Sequence, residues 1–241
     1  MGIFDNYDSP QSRTDKPWDI GLGIRYKNIS ASFSVSVPFV NQFNLWSYDF
    51  EISSYFDKIY FEAYFKRYPN FIINKTGEQN DFDIHSSGIM ATFLHNNKNH
   101  SLGSVNKLDK KQNLSSGSLL YGFGIFHSSL YSNTGSIEKY NDRQFLLYFG
   151  PSIGYSYTWV FQTGIFLNLS LIHFSSPAVN INTGNWLYIP QISPKIIFGN
   201  HYNTWSANLK LTNHSAFMIW GNNYIDALTF ISITIMISKR I

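Results

Sequence analysis

A hydroxyl, an imidazole and a carboxylate are the groups that could do chemistry in this chain, and each stands in only a few usable arrangements. His173-Phe174-Ser175 sets a base and a nucleophile two positions apart. Strand residues alternate faces, so both side chains share the face of Leu169 and Leu171. That pair suits ester hydrolysis on a lipid-facing wall. A third group must orient the imidazole, yet no Asp or Glu occurs between Asp142 and Asp226. The plainer reading is an interfacial His and a loop Ser. His127-Ser128, with Ser132-Asn133 and Glu138 nearby, invites the same chemistry but falls toward a polar loop without fixed spacing. Asp81, Asp83 and His85 share one strand face and have the donor types of a cation site; a solvated strand end explains them as well. Gly21-x-Gly23 and Gly122-x-Gly124 lie within strand-like alternation, where glycine marks close backbone approach rather than a phosphate cradle. Cysteine is absent, which removes disulfides and thiolate chemistry.

The elements that carry these residues have period two almost throughout. Ile20, Leu22, Ile24 and Tyr26 alternate with Asp19, Gly21, Gly23 and Arg25. After Lys27-Asn28 the row Ile29, Ala31, Phe33, Val35 and Val37 alternates with serines, which is a hairpin pattern. Phe50 and Ile52 alternate with Asp49 and Glu51, Asp57-Lys58 makes the turn, and Ile59, Phe61, Ala63 and Phe65 follow opposite Tyr60, Glu62, Tyr64 and Lys66. Phe82 to Leu94 and about His100 to Leu108 read as a third hairpin around Asn96-Asn97. Later strands centre on Phe123, Leu147, Leu169, Ile196, Leu209 and Ile233. Pro69 to Asp81, Ser132 to Asp142, Pro177 to Gly184 and His214 to Asn223 read as loops. Pro190 and Pro194 each remove a ladder donor and predict a bulge or irregular strand. About twelve strands result, with no amphipathic helix. Residues 1–16 form a polar segment without the apolar stretch of a signal peptide, and 17–241 form one β domain.

Composition narrows the class. The 241 residues include 43 aromatics, or 18%, whereas charged residues are 14% and mean hydropathy is −0.16. Many aromatics argue against disorder. No run of 18 apolar residues exists to span a membrane as a helix. A net charge of +3 is too small to imply nucleic acid.

Alternation leaves open which face is inside. A soluble barrel buries the apolar row and wets the other; a membrane barrel does the reverse. A soluble exterior wants roughly 25–35% charged residues. Here the second row is Gly, Ser, Asn, Gln and Tyr. Its few charges have both signs, Asp19, Asp49, Glu51 and Glu62 against Arg25, Lys66, Lys195 and Lys210, as a neutralised lumen requires. Large inward residues, Tyr60, Tyr64, Tyr148 and Phe166, would narrow the bore. Trp18, Tyr26, Tyr48, Tyr155, Tyr157 and Trp205 stand near strand ends, where interfacial aromatic girdles belong. Tight turns alternate with long loops in the C-terminal half, but in the N-terminal half they fall on the opposite parity.

The strand pattern resembles Gram-negative outer-membrane barrels. In Trp18 to Pro38 (WDIGLGIRYKNISASFSVSVP), Phe61 to Phe71 and Lys110 to Leu120 (KKQNLSSGSLL) it is similar to a bacterial family known as a domain of unknown function, most frequent among Bacteroidetes. The resemblance implies an outer-membrane location and no particular activity. The expectation is therefore a single antiparallel transmembrane β-barrel of about twelve strands in a bacterial outer membrane. It would be a structural or interaction barrel, or a narrow polar channel, without catalysis or cofactor. Its partners would be membrane lipid, the barrel-assembly machinery and small polar solutes. A lipid hydrolase using His173 and Ser175 is the alternative, and a soluble β-barrel holding a hydrophobic ligand is the third reading.

Overall fold

A computed structural model describes residues 11–13, 19–26, 28–36, 47–56, 58–75, 78–106, 112–132, 143–201, 205–220 and 224–239. Twelve strands form one antiparallel sheet: β1 (Gln11–Arg13), β2 (Asp19–Tyr26), β3 (Ile29–Ser36), β4 (Tyr48–Phe56), β5 (Ile59–Lys75), β6 (Glu78–Leu94), β7 (Ser116–Ser132), β8 (Arg143–Val160), β9 (Ile165–Asn180), β10 (Trp186–His201), β11 (Trp205–Trp220) and β12 (Tyr224–Lys239). One short helix, α1 (Leu102–Asn106), interrupts them. The strands from β2 to β12 pair in chain order, and β1 lies on β5 beyond the end of β4. The sheet curls into a half-barrel, with β11 approaching β7 and β8 across the concave side. Among the described residues no ladder joins β2 to β12.

The two faces have the polarity expected of an inverted barrel. On β8 the even positions Leu146, Tyr148, Ser152, Ser156 and Thr158 are buried, while Ile153, Tyr155 and Trp159 are exposed. The same alternation runs through β7, where Leu120 and Phe126 are buried and Leu119, Phe123 and Ile125 face out, and through β9 to β11. Concave therefore means Ser, Asn, Gly and ring residues; convex means Phe, Leu and Ile.

Three differences from the sequence expectation have simple causes. First, His100 to Leu108 is not a strand. Residues 95–99 turn and α1 follows. Removing that strand from the order puts the connections at 27–28, 57–58, 161–164 and 202–204 on one edge of the sheet, together with the segment that carries α1. The parity conflict disappears with it. Second, β5, β6, β9 and β11 run into the segments expected to be loops. Alternation is weaker there because apolar residues follow one another directly, as in Phe71-Ile72-Ile73 and Ala216-Phe217-Met218. A register shift between Tyr68 and Phe71 carries β5 past Pro69. Third, Pro190 and Pro194 introduce no bulge. The β9–β10 register continues unshifted from Trp186–Val179 to Asn200–Ile165. Described β10–β11 pairing begins only at Lys195, so both prolines stand where β10 has no described β11 partner. A missing ladder donor is tolerated at such an edge.

Interior glycines make room for rings. A Cβ on Gly199 would meet the Phe166 ring at 2.6 Å, and Gly88 and Gly124 lie beneath Phe126 in the same manner. Such a contact leaves no space for any side chain, so the small residues of the concave row are packing partners of its aromatic ones.

Candidate functional site

The concave side is where the charged candidates converge. Asp49, Glu51, Glu62 and Lys66 project inward from β4 and β5, and Lys195 and Lys210 from β10 and β11. Asp19 and Arg25 lie on β2, opposite Ser36 and Ser30, and their side chains fall outside the described residues. Lys66 Nζ stands 3.4 Å from Asp49, which also accepts from the Tyr68 hydroxyl at 3.4 Å. The Tyr60 hydroxyl donates to Glu62. The mixed charges are thus sorted by wall: an acidic excess on β4–β5 and the two lysines on β10–β11, with four strands between them.

Between those walls the interior is filled. Phe126, Leu146, Tyr148, Phe174, Ala178 and Ile189 make one buried cluster, extended by Tyr64 and Ile172. Phe126 stacks on Tyr148 at 5.3 Å and meets Phe174 edge-on at 5.5 Å. Below it Asn168 Nδ2 donates to Ser156 Oγ and Thr158 Oγ1, each at 2.9 Å. His201 stacks on Phe166 at 4.7 Å and its Nδ1 lies 3.2 Å from Ser206 Oγ. Of the large residues expected to narrow the bore, Tyr60, Tyr148 and Phe166 are each less than 5% exposed, and Tyr64 is half-buried.

The turn edge is closed by a segment that alternation misassigned. Leu102 of α1 packs on Tyr60, Leu94 and Leu120, with Tyr55 and Ile172 beside them. Its carbonyl accepts from the Tyr55 hydroxyl at 3.2 Å. His100 Nε2 lies 3.1 Å from Ser156 Oγ. Gln112 is buried and its Nε2 donates to the Ser116 hydroxyl at 2.9 Å. Inward residues of β4 to β9 therefore touch this segment, which acts as a plug. Burial holds the His100 imidazole well below its ordinary range, at about 4, and the Ser116 backbone opposes this only in part. The sequence signal was Asn96-Asn97-Lys98-Asn99 with Gly103, a run that breaks alternation and favours turns.

The candidate nucleophiles are not assembled. His173 and Ser175 share the convex face, as their spacing predicts, but Ser175 Oγ bonds the Tyr188 hydroxyl at 2.6 Å. His127 faces outward whereas Ser128 is buried on the other face; Ser132, Asn133 and Glu138 lie outside the described side chains. Asp83 pairs with Arg67 at 3.1 Å on the convex face, His85 leans on Tyr131, and the Asp81 side chain is outside the described residues. Among the described residues no three metal-ligating side chains gather. The Arg67–Asp83 pair escaped sequence reading because Arg67 sits where the period-two pattern of β5 ends.

Neither a curated protein nor a solved structure matches this chain. A family profile described as a domain of unknown function, DUF4421, matches residues 7–237. That span takes in every described strand except the last residues of β12, and on this match the chain belongs to the DUF4421 family.

Proposed function

We propose that this chain is a β-barrel of a bacterial outer membrane, closed by approach of β2 to β12, with a structural or interaction role rather than catalysis. The observation that carries this is the convex face. Leu22, Phe33, Phe50, Phe61, Ile89, Ile125, Ile153, Leu171, Ile192 and Leu209 are exposed in successive strands from β2 to β11, while Ser and Asn on the concave face are buried. A water-facing surface of that size and continuity would aggregate; hydrocarbon is the solvent it suits. Leu22 and Ile24 on β2 and Ile235 and Ile237 on β12 are among the most exposed apolar side chains, between 69% and 84%. Each lacks a neighbour on one side, and joining the two edges would supply it.

A membrane strand needs about 9–11 residues. β2 to β4 have 8 or 9, and β5 to β12 have 16 to 18. The longer strands overshoot a bilayer on the edge opposite the plug. Filled space between the charged walls favours a plugged barrel over a conduit for small polar solutes. A soluble carrier of an apolar ligand would need its apolar row inside, the reverse of the arrangement here. Membrane lipid and the barrel-assembly machinery are the partners this reading requires.

Refolding into vesicles whose acyl chains carry bromine tests it. Trp159, Trp186 and Trp205 lie on the convex face, 39% to 65% exposed. Their fluorescence is expected to be quenched by brominated lipid. A chain that folds in water without detergent and keeps its emission beside such vesicles overturns the reading.

A further inference from the structure

On the convex face the only charged side chains among the described strand residues are Arg67 and Asp83, and they form an ion pair at 3.1 Å. An ion pair in hydrocarbon is costly, so it belongs where apolar surface ends. Phe61 and Phe65 precede Arg67 on the same row of β5, and Ile89 and Phe93 follow Asp83 on its row of β6, so exposed apolar surface lies on the turn-edge side of the pair. Around the pair runs a chain of rings. Tyr48 stacks on Phe65 at 5.8 Å, Phe65 meets His85 at 6.4 Å, His85 meets Tyr131 at 5.2 Å, and Tyr131 meets Phe145 at 5.8 Å. Arg67 contributes one Nη2 donor to Asp83; its Nε is buried without an acceptor among the described residues, while the side chain as a whole stays 30% exposed, so a ligand meets it at the guanidinium end.

We propose that Arg67, Asp83 and this ring chain form a binding site for a zwitterionic phospholipid headgroup, one carrying a phosphate and a primary ammonium. The site rests on the membrane reading above. Arg67 offers the phosphate the remaining donors of a planar fork, which suits phosphate oxygens. Asp83 and the faces of Tyr131 and His85 attract the ammonium, by charge and by cation–π contact. The opposite signs are set side by side on neighbouring strands, as they are in the headgroup. The acyl chains then lie along the exposed Phe61, Phe65, Ile89 and Ile125. A purely anionic headgroup fits less well, because Asp83 stands beside its phosphate and nothing answers the ammonium position.

Lipid nanodiscs test this. The folded chain is placed in discs holding equal amounts of phosphatidylethanolamine and phosphatidylglycerol with the same acyl chains, extracted, and its retained lipids are counted by native mass spectrometry. Wild type is expected to retain phosphatidylethanolamine over phosphatidylglycerol by roughly fivefold or more. Asp83→Asn is expected to erase that preference while still retaining lipid, and Arg67→Gln to lower retention of both. Circular dichroism checks that each variant keeps its β-sheet; if Arg67→Gln does not fold, Asp83→Asn with Tyr131→Leu carries the test. Equal retention by folded wild type in discs overturns the site and leaves the membrane reading standing. Failure of wild type to enter discs overturns that reading and the site with it.

Discussion

The Phe126 ring on β7 occupies the space that a Cβ on Gly88 of β6 would need, and the Tyr64 ring closes the same space at 2.9 Å. Phe126 cannot swing away, because Tyr148 stacks on its other neighbours' side and Phe174 meets its edge. Gly88→Ala is therefore expected to destabilise the fold by about 1–3 kcal/mol, the usual cost of overpacking. Gly23→Ala is the control, since its nearest neighbour atoms stand at 3.5 and 3.7 Å and admit a methyl group. Urea midpoints of the refolded variants compare the two. Equal midpoints would mean that the concave side is not packed as described.

Ile153 separates membrane from water without any assumption about activity. It lies mid-strand on β8, faces outward and is 55% exposed. On a water-facing surface Ile153→Arg changes stability by no more than about 0.5 kcal/mol. In hydrocarbon near the midplane the same change costs about 2–4 kcal/mol. The larger loss is expected, read as a lowered urea midpoint in vesicles and a lower yield of folded protein. A neutral result would argue that the convex face meets water.

What the residues disclosed and what they hid follow from how far each signal reaches. Period two is local, so Leu119-Tyr121-Phe123-Ile125 and Phe50-Ile52 announced both their strands and their faces. The composition of the opposite row, serine and glycine rather than lysine and glutamate, indicated which face turns inward. Strand ends were not legible, because Phe71-Ile72-Ile73 and Ala216-Phe217-Met218-Ile219-Trp220 are apolar at consecutive positions and lose the contrast that makes alternation visible. The plug was hidden for another reason. Alternation breaks across Leu102-Gly103-Ser104-Val105, so the sequence there discloses neither an element nor a face, and only the contacts of Leu102 with Tyr60 and Leu120 show it to be interior. Pairings such as Arg67 with Asp83 depend on strand register, which a single sequence does not carry.

Ser175 has a partner other than a base. Its hydroxyl bonds Tyr188 at 2.6 Å, and among the described residues no hydrogen bond joins it to His173. Ser175→Ala is expected to leave ester release from a short-chain substrate at the background of wild type. A fall of tenfold or more, a transition-state loss of about 1.4 kcal/mol, would restore the hydrolase reading.

Planar bilayers containing the folded chain are expected to show no stepwise conductance. Two barriers lie in series: Phe126, Tyr148 and Phe174 across the middle, and Leu102 with His100 at the turn edge. Tyr148→Ala opens only the first and is expected to stay silent. Steady ion currents through wild type would show that the charged walls enclose water.

His100 gives the plug a pH dependence whose sign is fixed by burial. The folded chain holds the imidazole neutral, with its pKa lowered from 6.5 to about 4. In the unfolded chain it accepts a proton near 6.5. The unfolded state therefore binds more protons between these values, and stability rises with pH across that window. The contribution is fully present above about pH 6.5 and is lost as pH falls toward about 4. At about 1.4 kcal/mol per pH unit the whole interval amounts to about 3 kcal/mol. Carboxylates titrate in its lower part, so the upper part is diagnostic. Between pH 7 and pH 5 the urea midpoint of wild type is expected to drop more than that of His100→Asn, which offers Ser156 a side-chain amide but no titrating ring. Hydrogen exchange locates the loss: amides of α1 and of Asn96, whose side chain donates to the Gly117 carbonyl at 2.9 Å, should lose protection before those of β8. Parallel pH curves for the two proteins would show that His100 does not stay neutral in the folded chain.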